Sequence, residues 1–261
     1  PMAWSPGEDV LRFLGEPWAD YTDALAIPKP SPEHARQLLA GIAGAARAAQ
    51  LRAVEIGEVP SASALLAAMT EPWTVSDASL CPRIALTSET VAKIVSRKEH
   101  AMKARRLSRM GRITHIEYRE ADTILGRLAV FFAQHVRQWS ARLGSVLTFS
   151  DPELARFYAG AVPNLTTLGA VALHELRLDD NPLAFYYGYR DATTFYGYRP
   201  SYNIRWKRYS PGALLLRAMV QSFQVQGLTC FDMMRGSESY KLDYATEVTR
   251  NKALHLTGLY L

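Results

Sequence analysis

The stretch between residues 183 and 234 constrains the fold more than any other part of the chain. Two tyrosine-rich runs, 183–190 and 193–199, flank the tight turn "RDATT", which predicts an antiparallel hairpin. An amphipathic segment at 212–226, closed by Gly227, predicts a helix. The apolar run 228–234 predicts a further strand. A hairpin followed by one strand–helix–strand crossover indicates an α+β fold.

Alternation and capping signals divide the rest of the chain. The first half predicts strands at 10–15, 51–59, 83–87 and 111–120 and helices at 31–50, 61–69 and 88–109, with no element before Leu11. The second half predicts helices at 121–143 and 151–161, a strand at 169–178 and a last strand near 248–260. We therefore expect two mixed α/β half-domains, residues 1–120 and 121–261, each a mainly antiparallel sheet flanked by helices. The first is expected to be incomplete.

Composition indicates a soluble globular protein, because 48% of the 261 residues are hydrophobic and 21% are charged. The net charge of +5 suits an anionic partner, and leaves open a nucleotide cofactor, tRNA or a membrane surface. The two cysteines lack metal-like spacing, so no metal site is expected. No apolar run approaches the ~18 residues needed to span a bilayer. We expect a cytoplasmic protein, with peripheral membrane contact left open.

The segment "RYSPGALLLRAM" (208–219) has the features of a phosphate-binding helix start. Ser210 is placed to cap the helix, Pro211 fixes its first turn, and Gly212 removes a side chain from its mouth. Free N–H groups at a helix N-terminus attract anions, and Arg208 lies just upstream. An ordinary Ser-Pro helix start is the alternative interpretation.

The segment "FDMMRGSESYK" (231–241) places an acid in an apolar run. Asp232 lies between Phe231 and Met233, and apolar surroundings favour a carboxylate that acts as a base near neutral pH. Glu238 is a second candidate base after the turn at Gly236. A structural pair of Asp232 with Arg235 or Lys241 is the alternative interpretation.

These two segments resemble the tandem-GNAT acyltransferase family of the cellulose-biosynthesis protein type, which is related to the Fem aminoacyl-tRNA transferases. GNAT denotes the Gcn5-related N-acetyltransferase fold. The family carries a Tyr-Ser-Pro-Gly turn at the helix mouth and a Phe-Asp-x-x-x-Gly segment leading to Glu-x-Tyr-Lys. The front stretch "LRFLGEPWADYTD" is similar to its Gly-x-x-x-x-Asp-Tyr-x-Asp motif, here with Gly15, Asp20, Tyr21 and Asp23. The turn departs from the usual GNAT form, which begins with Arg or Gln.

The resemblance implies two GNAT-like half-domains and an enzyme that transfers an acyl group from acyl-CoA to an amine of a cell-envelope, polysaccharide or lipid precursor. It implies these catalytic candidates: Asp232, Glu238, Tyr240 and Lys241. It implies these cofactor-binding candidates: Tyr209, Ser210, Gly212, Ala213 and Arg208. It implies these substrate-binding candidates: Asp20, Tyr21, Asp23 and Arg235. A Fem-like transferase using aminoacyl-tRNA and a non-catalytic scaffold in a biosynthetic complex remain alternatives, and the oligomeric state is left open.

Three other patterns have structural explanations as well as functional ones. His174 shares a strand face with alanines and a leucine, which favours a packed histidine over a base, and Glu175 shares its face with Arg177. The segment 96–112 has seven Lys or Arg residues against one Glu, which indicates either a solvated face or phosphate contacts through Arg105, Arg106 and Arg109. The tyrosines of the hairpin suit sheet packing or an acyl-chain wall.

Overall fold

The computed structural model describes residues 2–5, 7–16, 18–24, 31–140 and 148–259. The strands are β1 Met2–Ser5, β2 Val10–Phe13, β3 Ala53–Val59, β4 Thr74–Ala85, β5 Ile113–Tyr118, β6 Val171–Leu178, β7 Asn181–Arg190, β8 Thr194–Tyr202, β9 Cys230–Asp232 and β10 Glu247–Leu256. The α-helices are α1 Pro32–Ala48, α2 Ala64–Ala67, α3 Ser88–Val95, α4 Lys98–Ser108, α5 Ala121–Trp139, α6 Pro152–Thr167, α7 Pro211–Val225 and α8 Ser239–Tyr244. Two 3₁₀ helices span Thr148–Ser150 and Ile204–Tyr209.

Two units make up the chain. The first comprises Pro1–Pro82, Arg235–Asp243 and Glu247–Leu261, and the second comprises Arg83–Met234 and Tyr244–Thr246. The predicted half-domain boundary between residues 120 and 121 falls inside the second unit, between β5 and α5. The predicted half-domains therefore do not correspond to these two units, and the half-domains stay a prediction.

The first unit is a sheet in the order β1-β2-β3-β10-β4 with α1 against it. Ser31 caps α1 by accepting a hydrogen bond from His34 N–H, and Pro32 occupies the first turn, as predicted. The helix buries Ala35, Leu39 and other side chains against the strands. It connects β2 to β3, which run parallel, because a parallel pair needs such a crossover.

The second unit is a sheet in the order β4-β9-β8-β7-β6-β5, to which β4 contributes residues 83–85. All pairs are antiparallel except β8 with β9, which the α7 crossover connects. Alternate β6 side chains enter different cores: Ala172 and Leu176 pack with α7, while Val171 and Leu173 pack with α5 and α6. Helices therefore cover both faces of this sheet, and the predicted mixed α/β architecture is confirmed.

Several predicted elements differ from the structure. The strand β1 was not predicted, and the predicted helix 88–109 is two helices, α3 and α4. Strand β4 begins nine residues earlier than predicted, α6 extends six residues further, and α8 forms where a loop was expected. Residues 141–143 of the predicted helix 121–143 lie outside the described residues. Among the described residues, no helix has both the length and the apolar character needed to cross a membrane.

Candidate functional site

Strands β8 and β9 separate inside the second unit. They pair in parallel at three positions, from Thr194 with Cys230 to Tyr196 with Asp232. Strand β9 then ends, whereas β8 continues for six residues to Tyr202. In the described part of the second unit, residues 197–202 of β8 therefore have no β9 residues beside them. The divergence leaves a backbone edge on which an extended ligand can add hydrogen bonds.

The N-terminal mouth of α7 lies at the far end of this edge. A Cβ added to Gly212 would lie 3.9 Å from Tyr202 Cδ1, so the mouth lies next to the end of β8. Pro211 has no N–H, and the first intrahelical bond runs from Leu214 N–H to Ser210 O at 3.1 Å. The N–H groups of Gly212 and Ala213 therefore point out of the helix, where they can bind an anion.

Ser210 occupies the N-cap position of α7 as predicted, but its side chain does not cap the helix, so the predicted side-chain cap is wrong. Its backbone is left-handed, with φ 51°, and its side chain makes no capping hydrogen bond. Its Oγ instead accepts from Lys103 Nζ at 2.7 Å. Because Lys103 is on α4, this contact brings the basic helix to the mouth of α7, a placement that the local sequence could not indicate.

The residues just before the mouth form a 3₁₀ helix rather than an extended segment. The guanidinium carbon of Arg208 lies 4.7 Å from the ring centroid of Tyr209, a cation–π contact. The Tyr209 hydroxyl lies 3.5 Å from Met110 Sδ. Arg208 and Tyr209, two of the predicted cofactor-binding residues, therefore lie beside the mouth of α7. Arg208 remains largely exposed.

Asp232 lies at the closed end of the divergence, where β8 and β9 last pair. Its side chain is 1% exposed, and Oδ2 accepts from Arg83 Nε at 2.8 Å while Oδ1 accepts from Met234 N–H at 2.8 Å. Arg83 is on the neighbouring β4, directly opposite Asp232 in the antiparallel register. The sequence reasoning missed Arg83, because only strand pairing brings residues 149 positions apart together.

The first unit contains a second cluster of candidates, built around Arg235. Its guanidinium donates to Asp20 at 3.0 Å and to Glu58 at 3.3 Å. Asn251 Nδ2 donates to the Asp20 carbonyl and to Glu58, at 3.0 and 2.9 Å, and Ser79 Oγ donates to Glu58 at 2.7 Å. Glu58 was missed by the sequence reasoning. It has a positive φ of 53°, which is uncommon for a residue other than glycine.

Lys241 is nearly buried in the same unit. Its Nζ donates to the Arg235 carbonyl at 2.6 Å and lies 3.4 Å from Glu238 Oε2. Gly236 has φ 139°, and a Cβ there would overlap Glu238 and lie 2.8 Å from Lys241 Nζ. Gly236 therefore has a backbone conformation that residues other than glycine rarely adopt. Tyr240 is on α8 and is partly exposed.

The remaining front residues have structural contacts of their own. Asp23 accepts from Ser63 Oγ at 2.6 Å, and Ser63 in turn caps α2 by accepting from Leu65 N–H. Tyr21 is half-buried on the same segment. A part in substrate binding stays a prediction for both Asp23 and Tyr21.

The two candidate bases on β6 are packed in the second unit. His174 is fully buried, 3.1 Å from His115, and burial holds its pKa well below the usual value, so the packed-histidine interpretation fits. Glu175 is also fully buried and is paired with Arg127 at 2.7 Å and Arg177 at 3.0 Å. Both side chains are therefore held by contacts inside the second unit.

The profile of a family described as acetyltransferase (GNAT) domain matches residues 96–242. Solved structures share the fold across the chain. The C-terminal domain of a putative lysylphosphatidylglycerol synthetase from Agrobacterium fabrum is 13% identical with a TM-score of 0.68, covering 98% of this chain and 81% of that one. L-PGS from Bacillus licheniformis is also 13% identical, with TM-score 0.66 and coverages of 97% and 79%.

The structure of FemX is 10% identical with TM-score 0.65, covering 97% of this chain and 82% of that one. At these identities the likeness shows the fold alone. No curated protein sequence matches the chain. The predicted GNAT fold, a mainly antiparallel sheet flanked by helices, is confirmed, whereas the cellulose-biosynthesis type stays a prediction.

Proposed function

This chain belongs to the acetyltransferase (GNAT) domain family and is a GNAT-type transferase, and we propose that it moves an acyl group from an acyl-CoA thioester to an amine. The acceptor class that we propose is a cell-envelope, polysaccharide or lipid precursor, as the resemblance to the cellulose-biosynthesis type implies. In acyl-CoA, the phosphopantetheine arm of coenzyme A carries the acyl group on its terminal sulfur.

One observation supports this proposal most strongly: the divergence of β8 from β9 has an anion-binding mouth at one end and a carboxylate at the other. Tyr202 lies six residue positions beyond Tyr196 along β8, which is ~20 Å at ~3.3 Å per residue. An extended phosphopantetheine arm has a comparable reach. Its phosphate end fits the N–H groups of Gly212 and Ala213, and its thioester then reaches Asp232.

The proposed chemistry assigns a role to each end of this edge. The acceptor nitrogen attacks the thioester carbonyl, a C–N bond forms, and the C–S bond breaks. The nitrogen loses one proton, for which Asp232 is the proposed acceptor, and the departing thiolate gains one. Arg83 orients the Asp232 carboxylate through its hydrogen bond of 2.8 Å. We propose that the first-unit candidates Glu238, Tyr240 and Lys241 also contribute to turnover, and that Asp20, Tyr21, Asp23 and Arg235 bind the acceptor.

The donor is tested by thermal unfolding with CoA and with acyl-CoA of increasing chain length. A ligand at 100 times its Kd stabilises the folded state by ~2.7 kcal/mol, which corresponds to roughly 5–11 °C for a chain of this size. Release of free thiol in the presence of amines then measures turnover. If no CoA thioester shifts the transition or releases thiol, the proposal is wrong.

The catalytic assignment is tested with Asp232→Asn and Lys241→Ala. We expect each to lower kcat by at least ~100-fold while the fold survives, since each removes an acid–base or electrostatic group. Asp180→Asn is the matched control, because Asp180 is exposed on the β6–β7 turn of the second unit. Near-normal rates in both variants would contradict the assignment.

A second candidate donor is aminoacyl-tRNA, to which the resemblance to Fem transferases points. The observation that favours it is the exposed arginines of α4: Arg105, Arg106 and the adjoining Arg109. Aminoacyl-tRNA belongs in the same thermal and transfer panel, and protection by it alone would replace acyl-CoA as the donor.

A further inference from the structure

A positively charged surface adjoins the mouth of α7 in the second unit. It is formed by the end of α4 and by the 3₁₀ helix that leads into α7, and we call it the basic surface. Its members are Arg105, Arg106, Arg109, Arg205, Lys207 and Arg208. All six are exposed, and in the described part of the chain none has a carboxylate partner. Unpaired cations at this density attract an anionic partner.

A cavity of about 340 Å³ opens within the basic surface, and its lining is mixed, with polar groups that include Asn181 and Asn203. Met110, Pro182 and Trp206 contribute its apolar lining, and Arg205 and Arg208 contribute cationic lining. Tryptophan, methionine and arginine are the residue types enriched at the buried centres of protein–protein interfaces. The combination therefore suits one anchoring side chain of a partner protein, surrounded by acids that face the arginines.

The rings here are poorly placed for stacking on unpaired bases. Tyr209 has Arg208 over its face and Trp206 beside it, with a centroid separation of 5.8 Å. Recognition of single-stranded nucleic acid depends on open aromatic faces. The geometry therefore favours an acidic protein over single-stranded RNA as the occupant.

The mouth itself offers two backbone amides to a phosphate group. Of the amides around it, Ser210 N–H already donates to Lys207 O at 2.9 Å, Leu214 N–H donates to Ser210 O, and Pro211 has none. Gly212 and Ala213 thus supply two donors. A phosphate of coenzyme A and the phosphate that joins phosphopantetheine to a protein serine can each accept from them.

We infer that the acyl donor is delivered by a small acidic carrier protein that docks on the basic surface and passes its phosphopantetheine arm across the α7 mouth along β8. The inference rests on the proposed acyl transfer and names the carrier of the thioester. The transfer is otherwise unchanged: the amide bond forms, the C–S bond breaks, and the carrier protein leaves with its free thiol. Only Tyr209 separates Arg208 from Ser210, so a partner seated on the surface lies beside the mouth.

The test uses an acyl carrier protein in its apo, holo and dodecanoyl forms, with dodecanoyl-CoA as the free thioester. Binding is measured by fluorescence anisotropy and transfer by product formation. We expect saturable binding that weakens with salt, and a higher kcat/KM for the carrier-bound donor. The double variant Arg205→Glu/Lys207→Glu should raise the Kd for the carrier protein on the order of 10-fold or more, with kcat for dodecanoyl-CoA unchanged.

The matched control is Arg47→Glu/Arg52→Glu, which makes the same change in charge at exposed positions of the first unit. Unfolding temperatures of both double variants verify that they fold. If dodecanoyl-CoA is used and the carrier protein neither binds nor donates, the inference is wrong and the proposed function stands. If neither thioester donates, both are wrong. The inference is also overturned if the carrier protein does not bind but RNA, or vesicles rich in phosphatidylglycerol, do bind and the same double variant loses that binding. The basic surface would then be assigned to RNA or to the lipid.

Discussion

Removing Arg83 should destabilise the second unit by leaving the buried carboxylate of Asp232 without its cation. Deleting one partner of a buried ion pair costs about 3–5 kcal/mol. Arg83 is one-third exposed and Asp232 keeps its hydrogen bond from Met234 N–H, so we expect the lower end, about 3 kcal/mol, for Arg83→Met. At roughly 2–4 °C per kcal/mol, the unfolding temperature should fall by ~6–12 °C.

The reverse deletion should cost less. In Asp232→Asn the arginine that remains is partly exposed, so water solvates it, and the asparagine oxygen can still accept from Met234 N–H. Adding Asp232→Asn to Arg83→Met should therefore restore most of the lost stability. Differential scanning calorimetry of the two single variants and the double variant checks this. Arg36→Met is the control, because the Arg36–Glu33 pair is exposed and its loss should have no measurable effect. Equal losses in the two single variants, or no recovery in the double variant, would refute the reasoning.

Two further outcomes test the backbone and the buried histidines. Gly236→Ala should lower the free energy of unfolding in urea by about 1–3 kcal/mol, because φ is 139° and the added Cβ meets Glu238. Gly41→Ala is the control: a Cβ at this position in α1 meets nothing within 4 Å, so this substitution should raise the free energy of unfolding by about 0.5–1 kcal/mol. Similar effects at both sites would contradict this prediction. Burial lowers the pKa of His115 and of His135 to about 4, so between pH 6.5 and 4 the unfolded chain binds more protons and stability falls as the pH falls. Between pH 7 and pH 5 each of these two histidines should lower the free energy of unfolding by about 2 kcal/mol. His135→Phe should therefore reduce the loss of stability over this pH range by about 2 kcal/mol. An unchanged pH dependence in that variant would show that His135 is protonated in the fold.

Local patterns predicted the elements whose boundaries depend on local chemistry. Ser31 and Pro32 mark the start of α1, and the "RDATT" turn joins β7 to β8, where Asp191 accepts the backbone N–H groups of Thr193 and Thr194. The four-residue strand β1 has too few residues to show a period, and it is held by pairing with β2. No glycine or proline marks the break between α3 and α4. Each helix buries its own apolar side chains there, and packing rather than propensity decides the break.

The candidate site divides in the same way. Residue type and order indicated Asp232, Lys241 and the α7 start, because acids in apolar runs and small residues at helix starts are visible in one segment. Their partners could not be indicated, because Arg83 and Lys103 reach Asp232 and Ser210 across 149 and 107 positions. A single sequence records which groups are present, whereas tertiary packing determines which groups meet.

Residues with left-handed backbone lie at or beside several of the candidate site residues. Among the described residues, six other than glycine have positive φ, and three of them, Glu58, Ser210 and Met234, adjoin candidate site residues. Such conformations cost of order 1–3 kcal/mol each and persist only where surrounding contacts hold them. Met234 donates its N–H to Asp232, Ser210 accepts from Lys103, and Glu58 accepts from Asn251 and Ser79. The contacts of Ser210 and Glu58 cross between elements, whereas the Met234–Asp232 contact joins residues two positions apart. Side-chain contacts therefore hold left-handed backbone at Ser210, a proposed donor-binding residue, and next to Asp232 and Arg235, which supports a preorganised site.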